Sequence, residues 1–383
     1  MMDILGGISV ETFLKEYWQK KPLLIRQSFP GFEPILPADE LAGMSLEEEV
    51  ESRIILEQGE ESPWELRKGP FKEQDFAALP KDKWTLLIQG VDQWLPEAAD
   101  LLSEFDFIPS WRIDDLMISY AVDGGSVGPH YDQYDVFLLQ AEGKRNWRVG
   151  QMCSEQSAFL KEPKLRILEQ FEEQENWVLE PGDMLYLPPR LAHYGIAQGE
   201  CMTYSIGFRA PSQSELLHSL MEVMDGNCSE DQRYGDSDLG NQGNPGEINQ
   251  DAIQRTRNLL ISALNDDQAI ADALGLLMSE AKYPEQLEES QPDLNWGELV
   301  QAFRDNEIER ALHSRFSYSK LNGRLTFYCN HKLYTLKEDS IALAEYLCSE
   351  RYLEGNQLIN LSQQLTEKEF LLDLWQGNHF YCE

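Results

Sequence analysis

The first apolar residues recur with helical spacing. Phe13, Leu14, Tyr17 and Trp18 share one face of an amphipathic helix predicted over 9–18. Lys20-Lys21-Pro22 breaks it, 23–25 reads as a short strand, and a helix restarts over 37–41. Beyond this point short apolar runs between Gly and Pro predict strands over 51–56, 84–89, 116–120, 135–140, 145–149, 177–179, 184–187 and 201–207. The turn residues in 59–71 predict a hairpin, and 96–107 has helical spacing. Ala141-Glu142-Gly143 reads as a turn that pairs 135–140 with 145–149. So many short strands point to a β-sandwich or barrel.

The period lengthens again near Pro211. Helices are predicted over 212–224, 250–264 and 267–281, with an irregular, Gly- and Asn-rich connection over 225–249. Such a helical region is often used for self-association. A linker over 283–292 leads to a third segment, with helices at 296–306, 341–347 and 368–375. Between them, strands at 325–328 and 333–336 follow a hairpin signal, Leu321-Asn322-Gly323. Short helices with a β-wing suggest a winged-helix-like domain.

Charge narrows the partners. The formal net charge is -35 over 383 residues, which suits a basic partner better than a phosphate backbone. The winged segment, 283–383, holds nine Lys and Arg against seventeen Asp and Glu, so protein docking or a structural role fits it better than DNA binding. Six cysteines, at 153, 201, 228, 329, 348 and 382, form no CxxC pair and no dense framework, as expected of reduced thiols in a cytoplasmic protein. The N-terminus lacks the basic and apolar regions of a signal peptide, and no apolar run is long enough to span a bilayer.

The chemistry concentrates at Gly128-Pro129-His130-Tyr131-Asp132. In an extended strand, residues i and i+2 point to one side, so His130 and Asp132 present an imidazole and a carboxylate to one point. Taken alone, His-x-Asp is more often a surface or hydrogen-bonded pair. Here it follows a Gly-rich turn and precedes an apolar strand, and His193 falls after a second strand-turn unit, 180–190. Two histidines and one carboxylate with the other positions open describe the site of non-haem Fe(II) oxygenases. A double-stranded β-helix supplies ligands from this kind of arrangement. Asp135 is set aside because it would face away from Asp132. Asp123 reads as a turn aspartate, Trp147, Trp177 and Tyr186 as core aromatics, and His218, His313, His331 and His379 as structural or surface residues.

Four stretches carry a family resemblance: 13–26, Gly128-Pro129-His130-Tyr131-Asp132, Gly143-Lys144-Arg145-Asn146-Trp147 and 180–193. The chain resembles the bacterial JmjC (cupin-4 type) ribosomal oxygenases along its whole length. The resemblance implies an α+β fold: a JmjC double-stranded β-helix over 1–210, a helical dimerisation region over 211–282 and a winged-helix-like domain over 283–383. It implies Fe(II) and 2-oxoglutarate, with O2, as cofactors. His130, Asp132 and His193 match the metal triad and catalytic centre. Arg145 matches the cation that grips the far carboxylate of 2-oxoglutarate, and Ser119 a hydroxyl beside it. Arginine's planar fork suits that task, because it can bind a carboxylate through two parallel hydrogen bonds.

The implied activity is hydroxylation of an arginine side-chain carbon in a basic large-subunit ribosomal protein, the sixteenth of that subunit. The implied setting is a cytoplasmic homodimer with no direct nucleic-acid or membrane contact. A histidine hydroxylase of ribosomal protein and a lysine demethylase are alternatives with the same iron chemistry. A non-enzymatic cupin scaffold and a transcription regulator are alternatives from other classes.

Overall fold

The computed structural model describes residues 3–57, 64–161, 165–225, 232–284 and 291–382. It divides into two compact units, Met1–Ala210 and Pro211–Glu383. Parts of the predicted hairpin (59–71), the 225–249 connection and the 283–292 linker, and Cys228, lie outside the described residues.

The first unit runs α1 (Val10–Glu16), β1 (Leu23–Ile25), α2 (Ala38–Met44), β2 (Ser52–Glu57), β3 (Trp64–Lys68), α3 (Glu73–Ala77), β4 (Trp84–Ile88), α4 (Pro96–Leu102), β5 (Ile113–Ala121), β6 (Val136–Met152), β7 (Glu175–Leu179), β8 (Met184–Leu187) and β9 (Leu191–Phe208). Its strands form an antiparallel sheet in the order β1-β8-β6-β9-β5-β4-β2-β3, with β7 also paired to β6. Ser9 starts α1 by accepting a hydrogen bond from the Thr12 amide at 3.2 Å. Phe13 of α1 is fully buried, 5.0 Å ring to ring from Tyr186 and 5.6 Å from Phe137. Each aromatic side chain buried this way contributes about 1.5–3 kcal/mol.

The expected turn at 141–143 does not reverse the chain. Strand β6 continues through it for 17 residues and pairs with β9 on both sides. Gly143 has φ +63°, and the register shifts on either side of Glu142, so this glycine makes a bulge. A Cβ there would lie 2.1 Å from the Glu200 carbonyl oxygen, so only glycine fits. The bulge divides β6 into a half paired with β8 and a half paired with β7. The 201–207 strand is likewise one end of the longer β9, and the 96–107 helix stops at Leu102 before a single 3-10 turn, Ser103–Phe105.

The second unit runs α5 (Gln213–Asp225), α6 (Gln250–Ala263), α7 (Asp267–Ser279), α8 (Trp296–Asp305), β10 (Ile308–Arg310), β11 (Phe316–Leu321), β12 (Arg324–Cys329), β13 (Lys332–Leu336), α9 (Ile341–Ser349), β14 (Tyr352–Leu353), α10 (Gly355–Leu361), α11 (Leu365–Gln376) and β15 (Phe380–Cys382). Asn322 and Gly323, at φ +51° and +77°, close the expected β11–β12 hairpin. Phe327 stacks edge-on against Phe316 and Phe370, at 5.2 and 5.0 Å, and joins this sheet to α11. Helix α7 packs on β12 through Gly275, where a Cβ would come within 2.4 Å of the Tyr328 ring. Among the described residues no helix is long and apolar enough to cross a membrane.

Candidate metal centre

His130 and Asp132 lie in the segment joining β5 to β6. The segment is not the regular strand expected: it carries a single β-bridge, His130 to His193, rather than a strand ladder. His130 N donates to His193 O at 3.0 Å, and His193 N to His130 O at 2.9 Å. Arg190 N donates to the Asp132 carbonyl at 2.7 Å, and Arg190 itself has φ +65°. This narrow backbone clamp joins His130 and Asp132 to Arg190 and His193, which are far away in sequence. One ligand atom from each of His130, Asp132 and His193 lies within 4.8 Å of the other two. His193 Nε2 is 3.6 Å from Asp132 Oδ2, and the two imidazole rings are 4.2 Å apart.

The tautomers suit ligation. His130 Nδ1 lies 2.9 Å from Gly128 O, and His193 Nδ1 lies 2.9 Å from Leu191 O. A carbonyl only accepts, so each Nδ1 carries a proton, which leaves Nε2 as the ring atom that can face a metal. Burial, then the neighbouring His130, pushes the His193 pKa down to about 4. Its imidazole is therefore neutral near pH 7, as a metal ligand must be.

A cavity of about 690 Å³ opens beside these ligands. Arg145 of β6 lines it, 4 % exposed, with its cation disfavoured by burial. Arg145 Nη1 donates to Ser119 Oγ at 3.2 Å and to Thr203 Oγ1 at 3.3 Å, and its Nε has no acceptor. Among the described residues no carboxylate pairs with it. A buried cation held only by neutral hydroxyls has a place for an anion.

The structure thus brings together His130, Asp132, His193, Arg145 and Ser119. Thr203 went unnoticed in the sequence; it reaches Arg145 because β5 and β9 align Ser119 with Thr203. Trp147, read as a core aromatic, lines the cavity with its ring 6.0 Å from that of His193. Asp115, Met117, Tyr134 and Ser205 also line it, and no local motif marks them. Asp135 lies apart, fully buried, and accepts from Tyr186 Oη at 2.6 Å and Gln19 Nε2 at 3.0 Å. Asp123 accepts from the Gly199 amide at 2.8 Å, a turn role. His379 is a buried structural residue, 2.8 Å from Ser314 Oγ, whereas His218 sits on the surface beside Glu222.

An antiparallel jelly roll with a His-Asp-His centre and a buried anion-seeking arginine defines an oxygenase of the JmjC type. The matching family models are a JmjC domain over 100–216 and a ROXA-like winged helix over 262–379. The chain is 36 % identical to the ribosomal protein uL16 3-hydroxylase of Escherichia coli over 77 % of this chain and 78 % of that protein. It is 37 % identical to a probable ribosomal oxygenase of Haemophilus influenzae over 68 % of this chain and 66 % of that one. The solved structure of YcfD, a ribosomal oxygenase from Escherichia coli, in complex with cobalt and 2-oxoglutarate superposes with a TM-score of 0.82 at 30 % identity, covering 98 % of this chain and 99 % of that one. The chain belongs to the JmjC ribosomal oxygenases.

Proposed function

We propose that this protein is an Fe(II)- and 2-oxoglutarate-dependent dioxygenase that hydroxylates an arginine side-chain carbon of the large-subunit ribosomal protein uL16. The observation that carries the reading is the buried Arg145 guanidinium, without a carboxylate partner, in the cavity that also holds His130, Asp132 and His193. The donor set fits the metal: two imidazoles and one carboxylate are a common set for Fe(II) with open positions. The cavity fits the co-substrate, a dicarboxylate whose far end Arg145, Ser119 and Thr203 would hold. When bound, Fe(II) with 2-oxoglutarate and O2 supplies the oxidant that turns a C–H bond into C–OH, releasing succinate and carbon dioxide.

The protein's own work is to bind, orient and shield. His130, Asp132 and His193 would hold the metal through Nε2, a carboxylate oxygen and Nε2. Arg145 would fix the co-substrate's direction, because its guanidinium is itself held by two hydroxyls. Leu138, Val136 and Trp147 line the same cavity and keep water from it. Charges of both signs line the cavity: Asp114 and Asp115 with Arg53, Lys68 and Arg166, beside Tyr134 and Gly207. A Cβ at Gly207 would lie 3.7 Å from Asp115 Oδ1 and 3.8 Å from Tyr134 Cε2, so both side chains come close to this glycine. A carboxylate and an aromatic ring near one another suit a guanidinium. The net charge of -35 would also speed the approach of a basic ribosomal protein.

The 211–282 region would join two copies in the cytoplasm, with the 283–383 domain docking protein rather than nucleic acid. Helix α6 supports the joining of two copies. It buries no residue within one chain, although Leu260 is 63 % exposed and Ile253, Ile261 and Leu264 are exposed beside it. Such an apolar face is commonly covered by another subunit.

Purified protein incubated with ribosomal proteins, Fe(II), 2-oxoglutarate and air tests the activity. The expected product is uL16 heavier by one oxygen atom on an arginine. Oxygen on a histidine, loss of a methyl group, or no change in any ribosomal protein would each overturn the arginine assignment.

A further inference from the structure

Two buried indole N–H groups lack an acceptor among the described residues, those of Trp94 and Trp147. Only Trp147 lines the cavity. It is 5 % exposed and stands two residues along β6 from Arg145, so the two side chains leave the same face of the strand. Its ring lies 5.5 Å from the Arg145 guanidinium carbon and 6.0 Å from the His193 ring. The indole therefore bridges the stretch between the buried cation and the metal ligands.

Its orientation is fixed. Trp147 pairs with Gly195 of β9, and a Cβ at Gly195 would fall 2.7 Å from Cη2 and Cζ3 and 2.9 Å from Cε3 of the indole. The benzo edge of the ring thus rests on the glycine backbone. The pyrrole edge, which carries Nε1–H, is the one turned away from Gly195. An N–H buried without an acceptor is unfavourable, and a ligand that supplies the acceptor removes that penalty when it binds.

We propose that the Trp147 indole N–H donates a hydrogen bond to the dicarboxylate co-substrate, at the end nearer the metal, while Arg145 holds the other end. This rests on the reading of the cavity as a 2-oxoglutarate site. Trp147 is then a co-substrate-binding residue as well as a wall. The N–H and the guanidinium, set along one strand, measure the length of the dicarboxylate.

The test removes the N–H and keeps the ring. Trp147→benzothienylalanine, made in the full-length protein, exchanges N–H for sulfur and keeps the fused aromatic surface over Arg145 and Gly195. Trp147→Phe is the second variant. Each is loaded with Co(II) and titrated with 2-oxoglutarate by calorimetry, and Co(II) affinity is measured separately from the absorption spectrum. The expected result is wild-type Co(II) affinity with a Kd for 2-oxoglutarate raised about tenfold or more in both variants, the size of a lost hydrogen bond to a charged group. An unchanged Kd in the benzothienylalanine variant, whatever Trp147→Phe does, would leave the indole as packing alone and overturn the proposal. Wild-type protein that binds Co(II) but not 2-oxoglutarate would instead overturn the reading of the cavity, and the proposal with it.

Discussion

Arg145 and Asp272 are both charged and both buried, one in each unit of the chain. Asp272 of α7 is fully matched. Its carboxylate accepts from Tyr328 Oη and Gln268 Nε2, each at 2.8 Å, and pairs with Arg324 at 3.4 Å. Arg145 meets two neutral hydroxyls and an aromatic face, and no carboxylate among the described residues. The folding cost of burying Asp272 is therefore offset within the protein, and that of burying Arg145 is not. A matched buried charge joins elements of the fold. An unmatched one in a cavity marks where something else must bind.

The largest test of this contrast lies beside Arg145. Asp132→Ala removes the carboxylate of the metal cluster, and turnover should fall below detection, measured as succinate release and as oxygen gained by uL16. The variant should still fold, because Asp132 is only half-buried and its one side-chain pairing, with His193 at 3.6 Å, lies within the metal cluster itself. Normal turnover would remove the metal from the argument. Arg145→Met comes next. Affinity for 2-oxoglutarate should fall about 100-fold, since a charge-assisted, two-pronged contact is lost. Stability of the metal-free protein should rise by about 1–2 kcal/mol, because an uncompensated buried charge is replaced by apolar volume. Asp272→Ala should do the reverse. It costs about 2–3 kcal/mol by leaving Tyr328 and Arg324 unmatched, read by denaturant unfolding, and leaves the affinity for 2-oxoglutarate alone. If both substitutions destabilise equally, the two charges are not different in kind.

How much of this was legible in the sequence depended on distance along the chain. His130 and Asp132 stand two apart and could be read together. His193 could be added because a turn signal precedes it. Thr203 and Asp115 could not, since only the register of β5 against β9 and of β5's neighbours brings them to the cavity. The reading of 141–143 as a turn failed for a related reason. Glycine at φ +63° serves a hairpin or a bulge equally well, and the choice is made by Glu200 and Cys201 of β9 lying against it. Strands β10, β14 and β15 have only two or three residues each, too few to show any period. Trp147 is the core aromatic its pattern suggests, packed with Val136, Leu138 and Val149, but that pattern is the same whether or not the ring also lines a cavity, as this one does.

The smallest expected effect sharpens the comparison through two histidines. Burial pushes both His193 and His379 down to about 4, with His130 adding to the first and His313 and Lys332 to the second. Each folded state thus prefers neutral imidazole, while the unfolded chain takes up its proton near 6.5. The unfolded state binds more protons between these values, so stability rises with pH from about 4 to about 6.5 and is lost as pH falls through that window. Each histidine can account for at most about 3 kcal/mol of this loss. Hydrogen exchange read separately over 3–210 and 211–382 should show protection falling in both units as the solution is acidified. Co(II) should then separate them. Metal binding to neutral His193 adds stability to the first unit near pH 7, and the gain shrinks at lower pH as protons compete for the imidazole. His379 is held by Ser314 and belongs to no metal-ligating cluster among the described residues, so exchange in the second unit should not respond to Co(II) at any pH. A response there, or none in the first unit, would mean that the two buried imidazoles do not differ in the way the two buried charges do.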